Sequence, residues 1–302
     1  MSYYRPGMNA LADDDEINPY GQVWLPLAFQ VGILLVVVIA IYLIFRLFAP
    51  SFPRLVGQAL DVLVALVPLG LWLIFGWWRE RTAVQPRDRL LMVTVISALA
   101  ANAVALPLID QVYQVERWLA IAPTASRVLG FTFTVGASQA MVIYLVVRYL
   151  VWRDHLRDRL DAVAYVIASA VGYATVLNLQ FVFNSNANLD IVAIRVFDNI
   201  ALLYAGSLII AFGLSEVRFE QPTPFFMPLM VALASFLSGT IIPLRTGFTN
   251  AGFAAQVAIN SPSLILGTVI SLGVFAAVAA AIAGLFNTAA RRAREAQSAR
   301  EP

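Results

Sequence analysis

The sequence predicts an all-α protein: a polytopic bundle of about eight transmembrane helices with both termini on the cytoplasmic side. Three observations carry this expectation. Hydrophobic residues make up 60% of the 302-residue chain and mean hydropathy is +0.78, more apolar surface than a soluble domain can bury. The apolar residues fall into stretches long enough to cross about 30 Å of hydrocarbon, which takes about 20 helical residues. The arginines alternate in density between successive connections, as they do when one side of a membrane collects positive charge.

Taken in order, the first stretch runs from Val23 to Phe48. It follows Asp13, Asp14, Asp15 and Glu16 instead of a basic segment, so it is expected to stay attached and not to be cleaved as a signal. The second, Val56 to Trp78, carries Asp61 near its start and ends on Trp77 and Trp78. The third, Leu90 to Ile109, holds Asn102 and places Ser97, Ala101 and Ala105 four apart. Ser138 and Gln139 lie in the fourth, Val128 to Trp152. The fifth, Leu160 to Phe183, has small residues four apart at Ala164, Ala168 and Gly172, then Asn178 and Gln180. The sixth, Ala193 to Leu214, opens with Arg195, Asp198 and Asn199. After the seventh, Pro224 to Leu244, the eighth runs from Ser263 to Phe286 with Ala276, Ala280 and Gly284 in the same small-residue spacing. Such faces let helix backbones approach closely. Residues 1–22 form an acidic cytoplasmic segment, 23–286 the transmembrane domain and 287–302 a basic cytoplasmic tail, both ends expected to be solvated. No internal repeat and no pair of helices broken by Pro or Gly is present.

With the N-terminus inside, fourteen of the 20 arginines fall on cytoplasmic segments: Arg5, Arg79, Arg81, Arg87, Arg89, Arg148, Arg153, Arg157, Arg159, Arg218, Arg291, Arg292, Arg294 and Arg300. Six fall outside: Arg46, Arg54, Arg117, Arg127, Arg195 and Arg245. The bias orients the chain N-in and C-in, which requires an even number of spans. Trp77, Trp78 and Trp152 at the cytoplasmic ends and Trp118 in an external loop suit an interfacial aromatic belt. The expected location is the inner (plasma) membrane, with the lipid bilayer and a membrane protein as partners and no nucleic acid.

The same inventory limits chemistry. Without cysteine there is no disulfide, thiol nucleophile or thiolate metal site, and without lysine no Schiff base. The one histidine, His155, sits among Arg153, Asp154, Arg157 and Asp158 in a loop, so neither a Ser–His dyad within the membrane nor a histidine metal site is expected. No cofactor or metal is expected. Asp61 and Asp198, the carboxylates within spans, lie within about six residues of the outer surface and are expected to be solvated there, Asp198 paired with Arg195 on one helix face.

From Phe131 to Gly213 the chain carries a more particular pattern. Gly136-Ala137-Ser138-Gln139-Ala140-Met141-Val142 leads into Tyr144-Leu145-Val146-Val147-Arg148; Asp161 and Tyr165 follow, then Gly172-Tyr173-Ala174-Thr175-Val176-Leu177-Asn178, and Arg195 opens the next helix. This order resembles the PrsW family of intramembrane proteases, relatives of the CAAX-processing type II proteases. The resemblance implies a catalytic set of paired Glu and a Lys on the first helix, a Glu before the Asn on the second, and a His on the third. Here Ser138 and Gln139 stand for the paired Glu, Val142 for the Lys and Leu177 for the third Glu, and Leu203 to Ala205 supply no His. Gln139 hydrogen-bonds without titrating, and Ser138 has no base within helical reach. The resemblance thus implies a catalytically degenerate protein, a binding, scaffolding or regulatory pseudoprotease or a subunit of a membrane complex, with Gln139, Asn178, Asp198 and Arg195 as binding or packing residues. Two alternatives stay open: an active intramembrane protease using atypical residues, such as Asp198 with Tyr204, and a small transporter or lipid-binding protein.

Overall fold

The computed structural model describes residues 21–48, 50, 52–78, 87–119, 122–152, 155–185, 187–220, 222–249 and 261–298. The acidic segment with Arg5 and Asp13 to Glu16, the loop residues Arg79, Arg81, Arg153 and Asp154, and Arg300 lie outside the described residues, as do the side chains of Arg245, Arg292 and Arg294. Among the described residues there is helix and no strand. Eight helical stretches are long and apolar enough to cross a membrane: Val23–Phe48, Arg54–Trp78, Leu90–Tyr113, Thr124–Leu150, Arg159–Asn184, Leu189–Phe219, Phe226–Leu244 and Ile265–Ala289. The chain is a multi-pass membrane protein.

The helices are α1 (Gly21–Phe48), α2 (Arg54–Trp72), α3 (Leu90–Ala100), the short α4 (Val115–Leu119), α5 (Thr124–Phe131), α6 (Ala137–Leu150), α7 (Arg159–Asn184), α8 (Leu189–Phe219), α9 (Phe226–Thr249) and α10 (Ser261–Ser298). α8 and α10 show why helices reach beyond the apolar stretches that announced them. α8 has 31 residues because Asp190, Glu216 and Arg218 ride on helical ends that hydropathy trims away. α10 continues past Phe286 through the basic tail to Ser298, where Ala, Arg, Glu and Gln, all strong helix formers, keep the backbone helical.

The third and fourth spans are deformed by their own residues. Pro107 has no amide to donate and its ring crowds the carbonyl four residues back; π-helical turns flank it at Ala101–Ala105 and Leu108–Tyr113. In the fourth span the Thr132 and Thr134 hydroxyls donate to the Val128 and Gly130 carbonyls at 2.7 and 2.6 Å, competing with the amide ladder, and a π-turn at Thr132–Gly136 joins α5 to α6.

Burial places α7 and α8 at the centre. Of the most apolar window in each span, 89% of the fifth and 78% of the sixth are buried inside the protein, against 22% of the second and of the eighth. Small residues permit this crowding. On α7, a Cβ added to Gly172 would stand 2.0 Å from the Thr94 carbonyl oxygen of α3. The same seam is closed by hydroxyls: Thr94 donates to the Ala168 carbonyl at 3.0 Å, Ser97 to the Ser169 carbonyl at 2.7 Å, and Ser169 back to Ser97 at 3.0 Å. The small faces of the third and fifth spans therefore pack on each other.

The eighth span's small face does not do the same. Ala276, Ala280 and Gly284 are exposed, and nothing lies within 4 Å of where a Gly284 Cβ would be. A closer approach occurs instead between the fourth and seventh spans. A Cβ on Gly136 would meet the Ser235 carbonyl oxygen at 2.4 Å, and one on Gly239 would meet the Thr132 amide nitrogen at 2.5 Å.

Candidate functional site

The residues that carry the sequence pattern are placed by three local structures. At the arginine-rich end of the bundle, α7 begins with a capping box. Asp158 accepts from the Arg159 amide at 2.6 Å, and Asp161 Oδ2 accepts from the Arg157 and Asp158 amides at 2.8 and 2.9 Å, satisfying donors that a helix start leaves open. Burial lifts the Asp158 carboxyl above the ordinary carboxylate range, opposed by the amide it accepts. Asp161 Oδ1 also holds the Arg87 guanidinium at 2.6 Å, and the Tyr165 hydroxyl donates to the Asp88 carbonyl at 2.6 Å. The Asp161/Tyr165 pair thus clamps the connection between the second and third spans onto α7. Beside it Arg159 bridges Glu216, at 2.6 Å, and Glu220, joining the start of α7 to the end of α8.

The second structure is the fourth span. Gly136 is glycine because α9 passes against it, and Arg148, at the other end of α6, lays its guanidinium 3.6 Å above the Trp152 ring. Ser138 and Gln139, between them, are buried at 7% and 5% exposure, while Val142 is half-buried against the apolar core. Gln139 makes no hydrogen bond among the described residues, and its Oε1 is enclosed. His155 lies beyond, half-buried in a turn.

The third lies toward the opposite end, between α7 and α8. Asn199 Nδ2 donates to Asn178 Oδ1 at 3.0 Å, and the Asn178 Nδ2 group, in a residue 1% exposed, has no acceptor among the described residues. Arg195 lies 3.9 Å over the Phe181 ring. Leu177 is buried in the apolar core. Asp198 overturns the expectation of a solvated carboxylate: it is 2% exposed. The physical reason is the length of α8, which starts at Leu189, so Asp198 sits more than two turns inside a helix packed on several sides. Asp61 is half-buried on α2. Gln180 donates to Asp110 at 2.8 Å at the exposed rim.

Two polar positions were not evident from the sequence. Gln30, a single amide within the apolar run of α1, is 5% exposed and accepts from the Tyr204 hydroxyl at 3.0 Å. Its signal was the lone Gln in that run. Tyr204 occupies the place where the resemblance puts a His, and its ring lies 6.4 Å from Phe275 of α10. The Ser97–Ser169 pair carried no signal beyond small size.

The geometry brings Asn178 and Asn199 together, and Arg195 with Phe181, but leaves Gln139 without a hydrogen bond to any of them. Among the described residues no three His, Asp or Glu side chains converge as they would around a metal ion. A double-mutant cycle of Asn178→Leu and Asn199→Leu, read by thermal unfolding in detergent, should give a coupling of about 0.6 to 1.7 kcal/mol, the range of interhelical hydrogen bonds in membranes. A coupling near zero would mean that the amide pair adds nothing beyond packing. Compared with protein-family models, with curated proteins and with solved structures, the chain matches none.

Proposed function

We propose that this multi-pass protein is a catalytically degenerate PrsW-like protein of the cell's inner membrane, with both termini cytoplasmic, that binds and regulates a membrane-protein partner. The observation that carries this reading is the chemistry of the motif positions in place. Ser138, Gln139 and Leu177, standing where the resemblance puts carboxylates, are buried among packed helices, and none of them titrates near neutral pH as a carboxylate pair would. The residues kept from the pattern have structural tasks: Gly136 and Gly172 at helix crossings, Asp161 and Tyr165 at the clamp, Asn178 in an amide pair. A hydrolase built on Asp198 and Tyr204 is less well supported, because the Tyr204 hydroxyl is engaged by Gln30 on α1.

The test is direct. The purified chain in liposomes, given transmembrane peptides with a quenched fluorophore pair, should release no more fluorescence than empty liposomes. Cleavage that disappears in Gln139→Ala would overturn the reading, and so would cleavage that disappears in Asp198→Asn.

A further inference from the structure

Most polar side chains within the spans turn inward: Gln30, Ser97, Gln139, Asn178 and Asp198 are all buried. Asn102 turns outward. It is exposed and makes no hydrogen bond among the described residues. Its direction is fixed by its neighbours, because Ala101 and Ala105, at the two ends of the same π-turn, are fully buried, while Val104 is 57% exposed. It lies near the middle of its span, Leu90–Tyr113, about 18 Å along the helix from Leu90 at about 1.5 Å per residue. At that depth hydrocarbon supplies neither a donor nor an acceptor, so an amide there needs a partner from another protein surface.

We propose that the Asn102 face of the third span is a homodimer interface, in which the Asn102 amides of two copies hydrogen-bond to each other across a twofold axis normal to the membrane. The occupant follows from the chemistry of the group. A carboxamide has one carbonyl acceptor and one NH2 donor, so it is its own complement, and two of them related by a twofold axis form reciprocal bonds. A second copy inserted in the same sense places its own Asn102 at the same depth. The surrounding surface suits close packing of a like helix: Ala103 is small and exposed, and Val95 and Leu99, at 49% and 57% exposure, extend the face by two turns. The inference is independent of any activity of the chain.

The chain has no cysteine, so a single one can report the contact. Leu99→Cys, one turn from Asn102 on the same face, treated with a short bis-maleimide in the native membrane, should yield a covalent species of twice the 33.0 kDa chain mass. Adding Asn102→Leu should lower the yield about tenfold at equal protein density, and Asn102→Gln should retain most of it. Val269→Cys, exposed on α10, should give no dimer. Asn102→Leu removes only an exposed amide, so its thermal unfolding as a monomer in detergent should match the parent. Dimer yield unaffected by Asn102→Leu, equal yield from Val269→Cys, no dimer at all, or a product containing a different protein would each overturn the proposal.

Discussion

Replacing Gly172 by alanine should destabilise the protein by about 3 kcal/mol, the upper end for overpacking a filled interior. The added methyl would stand 2.0 Å from the Thr94 carbonyl oxygen, and that neighbour is backbone, which has no rotamer to escape into. Relief requires α3 and α7 to separate, which stretches the Thr94–Ala168, Ser97–Ser169 carbonyl and Ser169–Ser97 hydrogen bonds together. Gly206→Ala is the matched control, because its new methyl would meet Ala234 of α9 at 3.8 Å, an ordinary contact. Thermal unfolding in one detergent should separate the two substitutions clearly. Equal stability would mean that the seam between the third and fifth spans has slack that its geometry denies.

Asp161→Ala should cost a similar amount, about 3 kcal/mol, by a different route. One carboxylate accepts from two amides that precede α7 and also faces Arg87, with side-chain exposures of 8% and 19% for the ion pair. Removing one member of a buried pair leaves a charge in a poorly solvated place, and losing the box opens the helix start. Asp161→Asn keeps an acceptor for the amides and loses the charge, so it should fall about midway. Limited proteolysis gives an independent readout: in Asp161→Ala the connection containing Arg87 should be cut faster than in the parent. Unchanged cutting would show that the connection is held without Asp161, by contacts such as those of Tyr165 with Asp88 and of Arg89 with Leu150.

The number and order of spans were readable from the chain because lipid leaves a helix little choice: a backbone in hydrocarbon must bond to itself. What could not be read was direction around each helix. Asn102 and Gln139 look alike in sequence, each an amide within an apolar run, yet one faces outward and the other is 5% exposed. Spacing alone also misjudged the small-residue faces. Ala168 and Gly172 meet α3, but Ala276, Ala280 and Gly284 point away from the bundle, and the close crossing of Gly136 with Ser235 pairs spans that had not been matched. Asp198 was misplaced for a related reason. Distance from the end of an apolar run measures depth only where the helix stops with the run, and α8 begins at Leu189. Of the motif positions, Asp161 was visible as part of a pattern, but its task depends on Arg87, 74 residues earlier.

The central position of α8 bears on how the chain assembles during synthesis. Its neighbours come from both ends of the sequence: Gln30 of α1 meets Tyr204, and Phe275 and Phe286 of α10 close over Tyr204 and Phe212, the second pair at 5.6 Å. When a ribosome has completed the sixth helix, the wall that will cover one side of it has not yet been translated. The covering of the helix that carries Asp198 and Arg195 is therefore complete only once α10 has been made and has packed on it. Closure of the core is in this sense timed by α10 and not by the two helices at its centre.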